Sequence, residues 1–99
     1  MQEVRGGNWG DLFEIPVTNE DDSEKDLSAV DVLEIRFNHS SYGQRHRTAN
    51  LKGGTTNVLQ YTSVAGDFGK NERGIWEFSA YWKGEDEEKE QKPSYFRVI

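Results

Sequence analysis

Apolar and polar residues alternate with period two in six stretches of this chain, the spacing that sends successive side chains to opposite faces of a half-buried strand. Phe13, Ile15 and Val17 share one face, with Leu12, Glu14 and Pro16 on the other. Pro16 has no N–H to give to a ladder, so this strand belongs at a sheet edge or breaks there. Leu33, Ile35 and Phe37 alternate cleanly with Val32, Glu34, Arg36 and Asn38. From Gln44 to Leu51, Arg45, Arg47 and Ala49 alternate with His46, Thr48 and Asn50, a polarity suited to an edge strand. Val58 to Ser63 sets Leu59 and Tyr61 on one face, and the heaviest stripe is Trp76, Phe78, Ala80 and Trp82. Phe96 and Val98 then point inward, with Tyr95, Arg97 and Ile99 outward.

Nothing in the chain repeats with the 3.6-residue period of an amphipathic helix, and a single helical turn over Ala65–Lys70 is the most the pattern allows. Several short strands and tight connections predict an all-β chain, a β-sandwich or small barrel in which each sheet buries one face. The 99 residues make one domain, 1–99, with residues 1–9 expected as a flexible N-terminal arm.

Composition changes this picture in two places. A mean hydropathy of -0.90 would fit a disordered chain, yet 12% of the residues are aromatic and most of them fall within the alternating stretches. The net charge of -6 is also unevenly placed. Asn19–Asp26 holds five acids against Lys25, and Gly84–Glu90 five against Lys89, which leaves a slightly basic body. Both runs read as solvated loops. An excess of acid argues against a nucleic-acid partner, and no apolar run is long enough to span a bilayer as a helix. No disulfide, thiolate metal site or thiol nucleophile can form, because the chain has no Cys.

Candidate chemistry is sparse. His39 and His46 belong to no catalytic or metal-binding motif, and the chain contains no HExxH, GxSxG, P-loop or GxGxxG pattern. An EF-hand counted from Asp21 would place Asp26 where the turn requires Gly. A looser calcium site between the acidic runs stays open as a minor reading. No enzyme, cofactor or metal is therefore expected. Two binding features remain. Arg36, Arg45, His46, Arg47 and Lys52 would form a basic patch if neighbouring strands pair, able to grip an acidic loop. Trp9, Tyr42, Tyr81 and Tyr95 are candidate exposed aromatics, suited to a protein interface or to stacking on a sugar ring.

The order of short motifs adds a resemblance. Gly10-Asp11 opens the first strand, Phe13-Glu14-Ile15-Pro16-Val17-Thr18 leads into an acidic turn, and Asp26-Leu27-Ser28-Ala29-Val30 precedes Leu33-Glu34-Ile35-Arg36-Phe37. Val58-Leu59-Gln60-Tyr61-Thr62, Ala65-Gly66-Asp67-Phe68 and Gly74-Ile75-Trp76-Glu77-Phe78 follow, and the chain closes on Phe96-Arg97-Val98. This series resembles the immunoglobulin-like β-sandwich modules of tailed-bacteriophage tail, fibre and upper-baseplate proteins. It departs from them at Ala29, where Gly is usual, and at Asp22-Ser23-Glu24, which replaces an Asp-Gly turn.

The resemblance implies an immunoglobulin-like antiparallel β-sandwich of six to seven strands. It also implies a structural role in a phage or prophage virion, with assembly in the bacterial cytoplasm. The expected partners are other tail or baseplate subunits or a second copy of the chain, met through Trp9, Tyr42, Arg45, Arg47, Tyr81 and Tyr95. The alternative is a carbohydrate-binding module on the same scaffold, recognising a surface glycan.

Overall fold

A computed structural model describes residues Met1 to Ile99 and contains nine strands and no helix. They are β1 (Gln2–Val4), β2 (Leu12–Pro16), β3 (Val32–His39), β4 (Gly43–Thr48), β5 (Asn50–Leu51), β6 (Val58–Thr62), β7 (Gly74–Lys83), β8 (Glu88–Glu90) and β9 (Ser94–Val98). One sheet runs β1-β9-β7-β3-β4, with β8 also on β7, and the other runs β2-β6-β5. All pairings are antiparallel except that of β1 with β9.

The inward faces are those the alternation predicts. Phe13, Ile15 and Leu59 from the smaller sheet meet Ile35, Phe37, Trp76, Phe78, Ala80, Trp82, Phe96 and Val98 from the larger, all buried. The two sheets close on each other because each would otherwise expose this face to water. At the centre, the Phe13 ring lies 5.0 Å from Phe37 and 4.9 Å from Phe96, edge to face, and 5.6 Å from Phe78. Phe68, from the β6–β7 connection, stands 5.1 Å from Phe37 and 5.2 Å from Phe96. All five Phe of the chain thus share one cluster, and the edge-to-face contacts set each ring's positive rim on its neighbour's negative face.

Pro16 ends the β2 ladder opposite Val58 on a sheet edge, where its missing N–H costs no bond. The single strand expected from Gln44 to Leu51 is two. β4 pairs with β3 in the larger sheet, and β5 pairs with β6 in the smaller. The chain changes sheets at Ala49, which is buried and donates its N–H to the Leu33 carbonyl at 2.9 Å. A methyl side chain is what fits between the layers at that crossing.

Two further expectations are corrected. The N-terminal residues are no free arm: β1 lies parallel to β9, Val4 is buried, and the Gly6 and Gly7 N–H groups bond the carbonyls of Ile99 and Phe68 at 3.0 and 2.8 Å. The acidic run Gly84–Glu90 is loop only to Glu87, after which Glu88–Glu90 form β8. Ala65–Lys70 makes turns but no helix. The two acidic runs also meet each other at one end of the sandwich, where Lys25 pairs with Glu87 at 2.8 Å and Trp82 Nε1 donates to the same carboxylate at 2.9 Å.

Two substitutions test this packing. Phe13→Ala removes the ring shared by both sheets and is expected to cost ~3–5 kcal/mol in urea unfolding. Gly6→Ala is expected to destabilise as well, since its Cβ would lie 2.7 Å from the Gly69 carbonyl oxygen. An unfolding midpoint for Gly6→Ala equal to that of the parent chain would contradict the close apposition of these loops.

Candidate functional site

Of the six residues singled out from the sequence, five fall into three groups and Tyr81 stands apart. Arg45 and Arg47 are the first. They lie on the inward-facing side of β4, under the β6–β7 connection, and each finds an acid there. Arg45 makes a two-pronged contact with Glu72, with Nη1 to Oε1 at 2.8 Å and Nη2 to Oε2, and it also donates to the Asp67 carbonyl. Arg47 Nε donates to Asp67 Oδ1 at 2.8 Å. The Tyr61 hydroxyl and the Val64 N–H both donate to Asp67 Oδ2, the latter at 2.9 Å. Trp76 Nε1 donates to the Glu72 carbonyl at 3.0 Å, and the Arg45 guanidinium lies 5.0 Å from the Trp76 ring centre.

Asp67 is 2% exposed, while Arg47, Tyr61, Arg45 and Glu72 are half-buried at the surface around it. Burial alone would raise the Asp67 pKa, but the hydrogen bonds from Tyr61, Val64 and Arg47 outweigh it, and the carboxyl ionises below its ordinary value. Glu72 is likewise lowered, chiefly by the bond from Arg45. Tyr61 is pushed up to about 12, first by burial and then by the Asp67 carboxylate that its hydroxyl serves.

Tyr42, the second group, stands over this network at the β3–β4 turn. Its ring lies 4.5 Å from His39 and stacks 6.1 Å from Trp76, and its hydroxyl donates to the Asn71 carbonyl at 3.1 Å. Tyr42, Arg45 and Arg47 therefore fasten the β3–β4 hairpin to the β6–β7 connection. Their polar contacts are made inside the molecule, while Tyr42 stays 39% exposed.

Tyr81 is a correction. It lies on the outer face of β7 as its place in the alternation requires, yet it is only 7% exposed. The Arg36 guanidinium covers its ring at 3.5 Å, and its hydroxyl donates to Glu88 on β8. Arg36 is itself held by Glu34, from Nε to Oε1 at 3.0 Å, and His46 lies 3.9 Å from the same carboxylate. The expected basic patch is accordingly split. Arg36 and His46 lie on the outer face, Arg45 and Arg47 on the inner, and Lys52 pairs with Glu14 at 3.0 Å.

Trp9 and Tyr95, the third group, stay exposed at 65% and 50%. Tyr95 sits on the outer face of β9 opposite Glu77. Trp9 follows a fixed backbone: Gly7 donates to Phe68 at 2.8 Å on one side, and Gly10 donates to Ser63 at 2.9 Å on the other. Gly7 and Gly10 have φ of 86° and 91°, a region closed to most side chains. The bonds from Gly10 to Ser63 and from Ser63 to Asp11 continue the β2–β6 ladder past Leu12. Trp9 thereby comes to the same corner as the exposed Val64 and Leu12.

One surface went unnoticed in the sequence. Between β8 and β9, Gln91 still donates its N–H to the Ala80 carbonyl at 2.8 Å, Lys92 and Pro93 leave the sheet, and the three form the wall of a polar cleft of about 310 Å³. The signal was Pro93, which cannot donate to a ladder, in the middle of an otherwise strand-like ending. No three His, Cys, Asp or Glu side chains stand close enough together to hold a metal ion.

Comparison with known proteins adds no relative: no family model matches the chain, and no characterised protein or solved structure matches it significantly.

The ion network predicts two limbs of pH-dependent stability. Asp67 and Glu72 ionise more readily in the folded than in the unfolded chain. Their contribution is complete above the ordinary values of 3.8 and 4.5 and fades as the pH falls through their lower folded values. Tyr61 behaves oppositely, contributing fully below 10.0 and losing that contribution as the pH rises toward about 12. Urea unfolding across the pH range is expected to show both limbs, with Tyr61→Phe flattening the alkaline one and shrinking the acid one, since the lost hydroxyl also helps to hold Asp67 ionised. Asp67→Ala is expected to cost about 3 kcal/mol at neutral pH, because it strands Arg47, the Tyr61 hydroxyl and the Val64 N–H.

Proposed function

We propose that this chain is an immunoglobulin-like sandwich acting as a non-enzymatic assembly module, with the corner around Trp9 as its contact surface. The strand order supports the topology. β2, β6 and β5 correspond to strands B, E and D of that fold, and β9, β7, β3 and β4 to G, F, C and the added C′. Phe13 and Phe78 meet across the sheets as the B–F disulfide does in antibody domains, with Phe37 in the role of the strand-C Trp. Trp76, two residues before Phe78, donates back to the Glu72 carbonyl as the Tyr of a tyrosine corner does.

The observation that carries the interaction reading is Trp9. Its backbone is anchored on both sides, yet its ring makes no aromatic contact and faces water. Holding a large apolar side chain in solvent gains nothing for an isolated domain. Tryptophan is also among the side chains that most often dominate binding energy at interfaces. The exposed Leu12 and Val64 lie near Trp9 in the chain pairing, and β2 beside it is an edge strand with no neighbouring strand on its outer side. A setting in a phage or prophage tail or baseplate rests on the motif series from Gly10-Asp11 to Phe96-Arg97-Val98. The partner is then another virion subunit or a second copy of the chain.

Particles released by the producing cell are expected to carry the chain, and Trp9→Ala to remove it from them. The same variant should keep its unfolding free energy within about 0.5 kcal/mol, as an exposed side chain does. Absence of the parent chain from such particles, together with a strict monomer in light scattering, would contradict the proposal.

A further inference from the structure

The cleft beside the β8–β9 break holds the one buried side-chain polar atom of the structure that has no hydrogen-bond partner. Its floor is the outer face of the larger sheet, where Arg36 lies opposite Ser79, and Asn38 lies between Glu77 and Gln44. Its wall is Glu90, Gln91, Lys92 and Pro93. Asn38, Gln44, Glu77 and Lys92 form no side-chain hydrogen bond or ion pair, and Gln91 Oε1 is a buried acceptor with no donor. A buried carbonyl left without a donor costs roughly 1–3 kcal/mol, so such atoms call for a partner from outside the fold.

Arg36 is the prearranged member. Tyr81 beneath it and Glu34 at its Nε fix the guanidinium plane, while neither Nη donates to a protein atom. A donor held in place beforehand loses little freedom on binding.

The charges select the ligand. Arg36 and Lys92 are matched by Glu77 and Glu90, and the remaining lining groups are amides and a hydroxyl. A carboxylate entering the cleft would meet two glutamates, and an ammonium would meet two cations. A neutral ligand whose groups both donate and accept meets no such opposition, and vicinal ring hydroxyls are groups of that kind. The volume of about 310 Å³ stands at the small end of ligand pockets, ~300–1,000 Å³, room for one sugar ring. Tyr95, exposed on the same face and paired with Glu77, supplies an apolar plane at the rim.

We propose that this cleft binds one neutral pyranose unit through Arg36, Asn38, Gln44, Glu77 and Gln91, with Tyr95 at its edge. The site is separate from the Trp9 corner, and of the four aromatics expected as sugar platforms, Trp9, Tyr42, Tyr81 and Tyr95, it uses only Tyr95, Tyr81 being covered by Arg36.

Amide NMR titration of the full chain tests it, with D-glucose, D-galactose and D-mannose as probes, glucuronate and glucosamine as charged analogues, and glycerol as the acyclic control. At least one neutral hexose is expected to bind in the millimolar range, moving the signals of Asn38, Ser79 and Gln91 together with the Asn38, Gln44 and Gln91 side-chain amides. Gln44→Ala is the cleanest variant, because Gln44 is exposed on the edge strand and bonds to nothing in the fold. It and Asn38→Ala should weaken binding about tenfold, and Trp9→Ala should leave it unchanged. An oligosaccharide ending in the same hexose separates the sources: equal or tighter binding marks a glycan end, and exclusion marks the free sugar. No response to any neutral hexose would overturn the proposal. So would shifts remote from the cleft, glycerol binding as well as a hexose, a charged analogue binding best, or full affinity in both cleft variants.

Discussion

Everything in this fold depends on five phenylalanines meeting between two sheets. With no Cys, the chain has no covalent tie across its layers, and the smaller sheet contributes only three short strands. Phe13 is the bridge, touching Phe37, Phe78 and Phe96 of the larger sheet, while Phe68 plugs the open end from a loop. Edge-to-face packing makes the cluster directional as well as apolar, which sets how the sheets face each other. Register follows, because a slip of one residue in β2 would send Phe13 into water.

Charge plays a second, local part. The chain is acidic, yet its cations are mostly committed within it: Arg45 to Glu72, Arg47 to Asp67, Lys25 to Glu87, Lys52 to Glu14 and Arg36 to Glu34. The network around Asp67 matters most, because its central carboxylate is withdrawn from water and it ties β4, β6 and the β6–β7 connection together. That connection carries Phe68, so the ion network holds one ring of the core in place.

Much of the fold was legible in the alternation, since period two records which side chains face the core and nothing else in a strand does. The inward set from Phe13 to Val98, the edge position of Pro16 and the two edge strands read directly. The switch of sheets at Ala49 did not, because β4 and β5 keep one unbroken alternation while changing neighbours. β1 and β8 were hidden for another reason: at three residues each, they are too short to show a period, and β8 is entirely charged. Tyr81 shows the limit for sites. Alternation placed it on the outer face correctly, but exposure depends on a cation from the next strand, and that contact crosses between β3 and β7. The polar cleft was illegible for the same reason, being assembled from four separate stretches of the chain.

What the molecule offers outward is then limited to a few surfaces, and Trp9 is the largest exposed side chain among them. Its meaning rests on rigidity: a tryptophan on a loose arm is unremarkable, whereas one on an anchored loop is presented. Hydrogen–deuterium exchange at the Gly7 and Gly10 amides tests that directly. Protection comparable to the amides of β9 is the predicted result. Exchange as fast as in an unstructured peptide would contradict it, returning Trp9 to a free arm and removing the surface on which the account turns.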